Sequence, residues 1–260
     1  MASRCSTHHI LIEKEFGSCT QEDVSYLLKR NYNNIFRGKG MNDIKFIPIE
    51  DVRKKELLCK FSPVYLLAKE LNLKLLMRYK NKFFFGPPYD LAEILDLLTT
   101  NFRVKNILDL FSGSGALAKV ALINGVKKTT CVDTTTKAIK VNLEEFKNRI
   151  DVIKTDILKM EFNDFYDLVV LDPPEELLVN VCKNVFPKLS DKTNLIIMWY
   201  SDRKNKQRDK KVEELSKKLF NQRLIIEIYG LKTIFCSNTK RGTKYLKFLE
   251  RKFKTNIKNI

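Results

Sequence analysis

The chain has 260 residues, 44% apolar and 30% charged, enough to bury a sizeable core and unlike a disordered or fibrous polymer. No apolar run is long enough to span a bilayer as a helix. The formal charge of +17 predicts a polyanionic partner, because each phosphate contact releases condensed counterions. The compositional alternative is a coding bias towards Lys, Asn and Ile.

Residues 1–80 predict a small α+β accessory domain, a candidate for RNA binding. Its strand-like stretches are HHILIEKE (8–15), DIKFIPIE (43–50) and LKLLMRYK (73–80), and its helical ones are QEDVSYLLKRNYNNIF (21–36) and VYLLAKELN (64–72). RNYNNIFRGKGMND (30–43) reads as a flexible basic loop. The first residues, MASRCSTHHILIEKEF, lack the long apolar segment of a secretory signal, so a cytoplasmic setting is expected. One early Arg and no acid before Glu13 keep an organellar leader as the alternative.

From residue 81 the pattern becomes regular. The segment FFFGPPYD (83–90) leads into NILDL (106–110), a strand, and GALAKVALING (115–125), a helix with Gly125 as C-cap. KTTCVD (128–133) is a strand and TKAIKVNLEEFKNR (136–149) an amphipathic helix. IDVIKTD (150–156) and YDLVVLD (166–172) are strands, and EELLVNVCKNVF (175–186) is a helix expected to stop at Pro187. NLIIMWYS (194–201) is a strand, followed by a basic helix over about 208–220. RLIIEIYG (223–230) and KYLKFLER (244–251) are expected to form a closing antiparallel hairpin, since no helix is read between them. Strands separated by helices of this length predict an α/β fold, a mostly parallel sheet covered on both faces.

The first four strands of this sheet end in Asp109, Asp133, Asp156 and Asp172. Ligands of open α/β sheets bind outside the carboxyl ends of the strands, so four carboxylates should line one rim. A single Asp after a strand is commonly a turn residue, but four in succession point to a site. The first turn, DLFSGSGALA (109–118), has Gly113 and Gly115 where the backbone must approach a ligand closely. It also matches GxGxxA, with Asp133 about where a ribose-binding acid falls, so a nicotinamide enzyme competes at this point. An acid four residues before the first glycine suits an amino-acid ligand better than a pyrophosphate.

The string ILDLFSGSGALA … VD … TDIL … LDPPE resembles a class I S-adenosylmethionine-dependent methyltransferase, closest to the RsmD-like family of ribosomal RNA guanine-N2 methyltransferases. The likeness covers about residues 105–250, including TKRGTKYLKFLER, similar to that family's RYGDT-containing hairpin. It implies a Rossmann-like seven-stranded sheet over residues 81–260 and S-adenosyl-L-methionine as cofactor. By that likeness Asp109, Gly113 and Gly115 would hold the methionine part, with Phe111 in the same loop. Asp133, with Thr134 beside it, would take the ribose hydroxyls. Asp156 with Ile157 would bind the adenine edge, the acid as a buried acceptor.

In VVLDPPEE (169–176), Asp172 and the Pro173 carbonyl can accept the N–H bonds of an exocyclic amine. Pro173 and Pro174 fix the turn before substrate arrives. The fourth position of this motif normally carries an aromatic that stacks on the flipped base, and here it is Glu175. Carboxylates at 175 and 176 also suit the start of a helix, the simpler reading of that departure; the functional one is that the Glu175 carboxylate reads a donor edge of the target base. FFFGPPY has no acid, so it cannot accept amine hydrogens, and it resembles instead the segment covering the methionine end of the cofactor. The alternative there is an apolar linker packed on the sheet.

Uracil-C5 enzymes carry D-P-P-R and a cysteine after the next strand; here that strand ends in Ser201 and Asp202, so a cysteine adduct is not expected. The six cysteines form no CxxC pair and the only histidines are His8 and His9, so no metal site is expected. RNA, by the resemblance ribosomal RNA, should dock on the basic segments 201–211 and 239–260. Guanine N2 is the target implied, with adenine N6 open to the same chemistry. A methyltransferase-like RNA-binding or assembly protein without turnover is the alternative from another class, suggested by Glu175 and by VDTTT, which has no second acid after Asp133.

Overall fold

Continuous apolar runs become strands buried on both faces, and these build the centre of the molecule. A computed structural model describes residues 44–48, 71–79, 82–85, 89–201, 205–228, 231–254 and 258–259. Strands β4 (Asn106–Leu110), β5 (Lys128–Asp133) and β7 (Tyr166–Leu171) are buried along nearly their whole length, and β6 (Ile150–Lys154) is the exposed outer strand. With β8 (Thr193–Ser201), β9 (Gln222–Ile228), β10 (Leu231–Ser237) and the two-residue β11 (Lys258–Asn259), the order is β11-β9-β10-β8-β7-β4-β5-β6. Strands β4 to β8 pair in parallel, whereas β10 runs antiparallel to both β8 and β9. This is the expected α/β sheet, seven strands with β11 added at one edge.

Helices α1 (Tyr89–Asn101), α2 (Ala116–Ile123), α3 (Lys137–Asn142), α4 (Leu178–Asn184), α5 (Phe186–Leu189), α6 (Lys206–Leu219) and α7 (Lys240–Phe253) cover it. Helix α1 packs on α2, α6 on α4, and α7 on β8, β9 and β10. Phe102 meets Tyr245 and Phe248 edge to face, at 4.8 and 5.2 Å between ring centroids, joining α1 to α7. Cys131, Cys182 and Cys236 are free and buried in the core.

A second sheet, order β1-β2-β3, is antiparallel and formed by β1 (Ile44–Pro48), β2 (Leu75–Tyr79) and β3 (Lys82–Phe85). Two of its strands match the expected ones at 43–50 and 73–80, and β3 carries it past residue 80, where the accessory domain was expected to end. Buried Asn142 pins this sheet to the main one: Oδ1 accepts from the Lys74 and Leu75 N–H groups at 2.7 and 2.8 Å, and Nδ2 donates to the Leu75 and Ser114 carbonyls at 2.8 Å. The stretches expected as strand, helix and loop at 8–15, 21–36 and 30–43, and most of the helix at 64–72, lie outside the described residues.

Three expectations are corrected. The final strand is not 244–251: that stretch is the middle of α7, and the partner of β9 is β10. Gly242, Tyr245, Leu246 and Leu249 are buried at helical spacing, and Thr239 caps the helix by accepting from the Gly242 N–H at 2.9 Å. The helix expected over 175–186 is a 3-10 turn, Glu175–Leu177, followed by α4 and α5, and Pro187 stands in the first turn of α5 instead of ending its predecessor. The helix expected over 136–149 divides into α3 and a 3-10 segment, Glu144–Arg149.

The start of α7 is locked to the amino ends of the parallel strands. Asp167, the second residue of β7, accepts from the Lys105 N–H at 2.7 Å and the Asn194 amide at 3.2 Å, and pairs with Arg241 at 3.0 Å. A Cβ on Gly242 would collide with the Asn194 carbonyl and the Ser237 hydroxyl. Gly242→Ala is therefore expected to cost on the order of 3 kcal/mol or more, since the Asn194 carbonyl is backbone and the Ser237 Cβ stays too close even if its hydroxyl turns. Urea unfolding followed through Trp199, the one tryptophan of the chain, measures it.

Candidate functional site

Because β7, β4, β5 and β6 are parallel neighbours in that order, Asp172, Asp109, Asp133 and Asp156 stand side by side along the carboxyl rim. The turn after β4 is tightly wound. Phe111, Gly113 and Gly115 all have positive φ, at 62°, 56° and 78°. For Phe111 this conformation is strained, on the order of 1–3 kcal/mol, the kind of cost found where a loop is shaped around a ligand. Gly115 also faces Leu143 at 3.2 Å from the place of a Cβ, so the loop needs a glycine there on both counts.

Asp109 is 1% exposed, and its Oδ2 has no hydrogen-bond partner among the described residues. Burial pushes its carboxyl up to about 7; the Ala118 backbone N–H offsets part of this, and the Asp133 charge adds to it. An acceptor oxygen so placed demands a donor, and a cationic one above all. The Ser114 hydroxyl, also buried, is the second polar group of this loop without a partner among the described residues. Ser112 serves the frame: its hydroxyl donates to the Asp109 carbonyl at 2.6 Å and accepts from the Val132 N–H at 3.1 Å.

Asp133 closes β5 and reads back to the glycine loop. Its Oδ2 accepts from the Gly113 N–H at 2.9 Å, and its Oδ1 accepts from the Thr135 N–H at 3.0 Å and the Thr134 hydroxyl at 3.3 Å. Oδ1 also accepts from the Thr135 hydroxyl at 3.3 Å, so the acceptor capacity left for a hydroxyl donor from the rim lies on Oδ2, which among the described residues has the Gly113 N–H as its donor. Thr134 itself is exposed.

Asp156 departs from the expected buried acceptor. It lies after the outer strand and is exposed, its Oδ1 capping the turn Ile157–Lys159 from the Leu158 N–H at 3.1 Å and its Oδ2 3.7 Å from Lys159. Ile157 is 2% exposed and belongs to the core.

The Asp172 N–H continues the ladder to the Leu110 carbonyl at 3.5 Å, which sets the carboxylate at the mouth, half-buried. Pro173 is buried, and the Pro174 carbonyl accepts from the Leu177 N–H at 2.9 Å. No backbone N–H among the described residues reaches the Pro173 carbonyl. The turn thus offers an anionic and a neutral acceptor from consecutive residues, the pair that an NH2 group requires.

Glu175 points into an ion pair. Its Oε2 lies 3.0 Å from Arg208 on α6, with the side chains 21% and 10% exposed, and Arg208 also reaches buried Asp209 at 3.3 Å. Arg208 was not singled out in the sequence, where it is one cation in SDRKNKQRDKK. Exposed Lys206, Lys210 and Lys211 share its helix, and the last two border a surface depression of about 610 Å³ on α6. Helix α6, which carries residues 206–211 of that basic segment, therefore meets the rim through Arg208. The segment from 239 differs: it begins at the opposite edge of the sheet, against Asp167 and Asn194. Phe111 is half-buried and packs on the core; the side chains of FFFGPPY lie outside the described residues. No helix among the described residues is long and apolar enough to cross a membrane, and no His, Cys, Asp and Glu cluster there could hold a metal ion.

A family model described as Conserved hypothetical protein 95 matches residues 91–229. The "Putative ribosomal RNA large subunit methyltransferase YwbD" of Bacillus subtilis (strain 168) is 33% identical over 103 residues, 35% of this chain and 26% of that protein. Ribosomal RNA large subunit methyltransferase I of Salmonella paratyphi C (strain RKS4594) is 27% identical over 145 residues, 48% of this chain and 36% of that protein. The chain thus spans about a third or less of the length of each. Among solved structures, the "putative RNA methyltransferase PH1948" of Pyrococcus horikoshii superposes with a TM-score of 0.51 at 21% identity, over 68% of this chain and 99% of that one. Together with the strand order, this likeness establishes the class I methyltransferase fold.

Proposed function

The chain belongs to the Conserved hypothetical protein 95 family, and from that membership and the rim of aspartates we propose that it is an S-adenosylmethionine-dependent RNA methyltransferase. Its target is an exocyclic amine of a base in ribosomal RNA, guanine N2 by the family resemblance. The observation that carries this reading is the buried Asp109 carboxylate, with one oxygen lacking a donor among the described residues, beside an Asp-Pro-Pro turn with its own acceptors.

The residues fit the cofactor. Asp109 would accept its ammonium, the backbone of the loop with Gly113 and Gly115 would hold its amino-acid part, and Asp133 would take its ribose hydroxyls. When bound, the cofactor supplies an electrophilic methyl group. An exocyclic amine is a weak nucleophile because its lone pair is delocalised into the ring. Asp172 and the Pro173 carbonyl hold its two N–H bonds, aim the lone pair and stabilise the positive charge that grows on nitrogen. Exposed Lys206, Lys210 and Lys211 receive the phosphate backbone beside this mouth. The two named relatives being ribosomal RNA large subunit methyltransferases supports an RNA substrate.

The test is transfer of tritiated methyl from S-adenosylmethionine to in vitro transcripts of ribosomal RNA, followed by nucleoside chromatography. Label in N2-methylguanosine is expected. Label in N6-methyladenosine would move the target to adenine, and unlabelled RNA despite firm cofactor binding would favour an RNA-binding or assembly protein.

A further inference from the structure

Glu175 occupies the place where an aromatic ring would hold the target base, and the structure gives that carboxylate a fixed task. It comes three residues after Asp172, on the turn whose two acceptors face the amine. Its Oε2 meets Arg208 at 3.0 Å, and the same guanidinium meets Asp209 at 3.3 Å. Arg208 is 10% exposed and Asp209 is 5% exposed, so the bridge is largely withdrawn from water and weakly screened.

The arginine is held by its backbone as well. Its N–H donates to the side chain of Asn205, the N-cap of α6, at 2.9 Å. Farther along, the Tyr200 hydroxyl donates to Glu213 at 2.8 Å and Arg223 donates to the Glu213 carbonyl at 2.9 Å, fixing α6 against β8 and β9. A planar guanidinium between two carboxylates has little freedom to turn. The Asp-Pro-Pro-Glu turn is thereby tied to a helix whose outer face carries Lys206, Lys210 and Lys211.

We propose that Arg208 is a positioning residue that acts through Glu175: it holds the Asp172–Pro174 turn in its accepting geometry and couples it to the basic helix that receives the phosphate backbone. The ion pair does the orienting work that stacking on an aromatic does elsewhere, by fixing the acceptors instead of gripping the base. This inference rests on the proposed role of Asp172. It makes a counterintuitive prediction: restoring an aromatic by Glu175→Tyr lowers turnover, because it removes the carboxylate that ties the turn to Arg208.

The experiment is a double-mutant cycle on full-length protein with Arg208→Met, Glu175→Gln and the pair together. Steady-state methyl transfer to a ribosomal RNA transcript, S-adenosylhomocysteine affinity and urea unfolding by Trp199 fluorescence are read in parallel. Arg208→Met should lower kcat on the order of 10²-fold, as small misplacement of reacting groups does, with cofactor affinity within about twofold. Glu175→Gln, which keeps an acceptor for Arg208, should cost much less. The double variant should recover part of the loss, since the charge of Glu175 is then no longer left beside Asp172 without Arg208.

Arg208→Lys should be intermediate, its single ammonium being unable to bridge both acids. Unchanged kcat in a folded Arg208→Met, strictly additive losses, or a more active Glu175→Tyr would each overturn the inference. Because the unfolding cycle needs no turnover, absence of coupling between Glu175 and Arg208 there would also overturn it. A wild type without transferase activity but with intact coupling would refute the proposed function, not the bridge.

Discussion

Replacing Asp172 by Ala is expected to lower methyl transfer roughly 10²–10³-fold, the usual cost of deleting a preorganised group that meets developing charge, while cofactor affinity stays within about twofold. Asp172 stands one residue beyond β7 with its N–H on Leu110, so the carboxylate is placed by the sheet itself. It does not share the loop that holds Asp109 and Asp133, and its truncation leaves their hydrogen bonds untouched. Asp172→Asn should fall between the two, because its carbonyl still accepts an N–H bond but brings no charge. Single-turnover label transfer with saturating cofactor separates the chemical step from binding. Activity close to wild type in Asp172→Ala would end the mechanism.

Asp109→Asn should make the ligand-free protein more stable and at the same time weaken cofactor binding by at least an order of magnitude. The folded chain holds the Asp109 carboxyl at about 7, well above its ordinary value of 3.8, chiefly through burial. A raised value means that the folded state binds the proton more tightly than the unfolded one. Stability from this group is complete below about pH 4 and is lost as pH rises to about 7. The full loss is on the order of 4 kcal/mol, and an amide, which never ionises, avoids it. At pH 8 the variant should therefore withstand more urea than wild type, with the difference vanishing near pH 4.

The same group sets the pH dependence of binding. The cofactor's ammonium needs an ionised partner, so affinity should climb from pH 6 towards 7 and then level off, with a proton released on binding at pH 6. Calorimetry in buffers of different ionisation enthalpy counts that proton. A wild type whose affinity is flat from pH 6 to 8 would remove Asp109 from the ligand's ammonium.

Strand identity was legible wherever burial on both faces left no choice of residue. VVLD and IIMWY read as strands without periodicity, and the acids that close β5 and follow β6 and β7 stand where an apolar run must stop. The closing hairpin was misplaced because LKTIFCS mixes Lys, Thr and Ser into a short strand, while KYLKFLER imitates one. Helical spacing of Tyr245, Leu246 and Leu249 carried the signal that was passed over.

In the site, acids and glycines were legible and their partners were not. Glu175 stood out as a departure, yet its partner sits on α6, in a run of cations where no residue looks special. Ser114 is one serine among small residues until burial leaves its hydroxyl without a partner among the described residues. Asp156 was expected buried by the family likeness; it follows the outer strand, where no further strand among the described residues covers it.

The most direct test of the rim as a cofactor site is calorimetric titration of the purified chain with S-adenosylhomocysteine, repeated with Asp133→Ala. Micromolar binding by the wild type, weakened tenfold or more when Asp133 no longer joins the glycine loop to the ribose hydroxyls, is the expected result. Wild-type binding unaffected by Asp133→Ala, or no binding at all, would contradict the assignment of the four-aspartate rim.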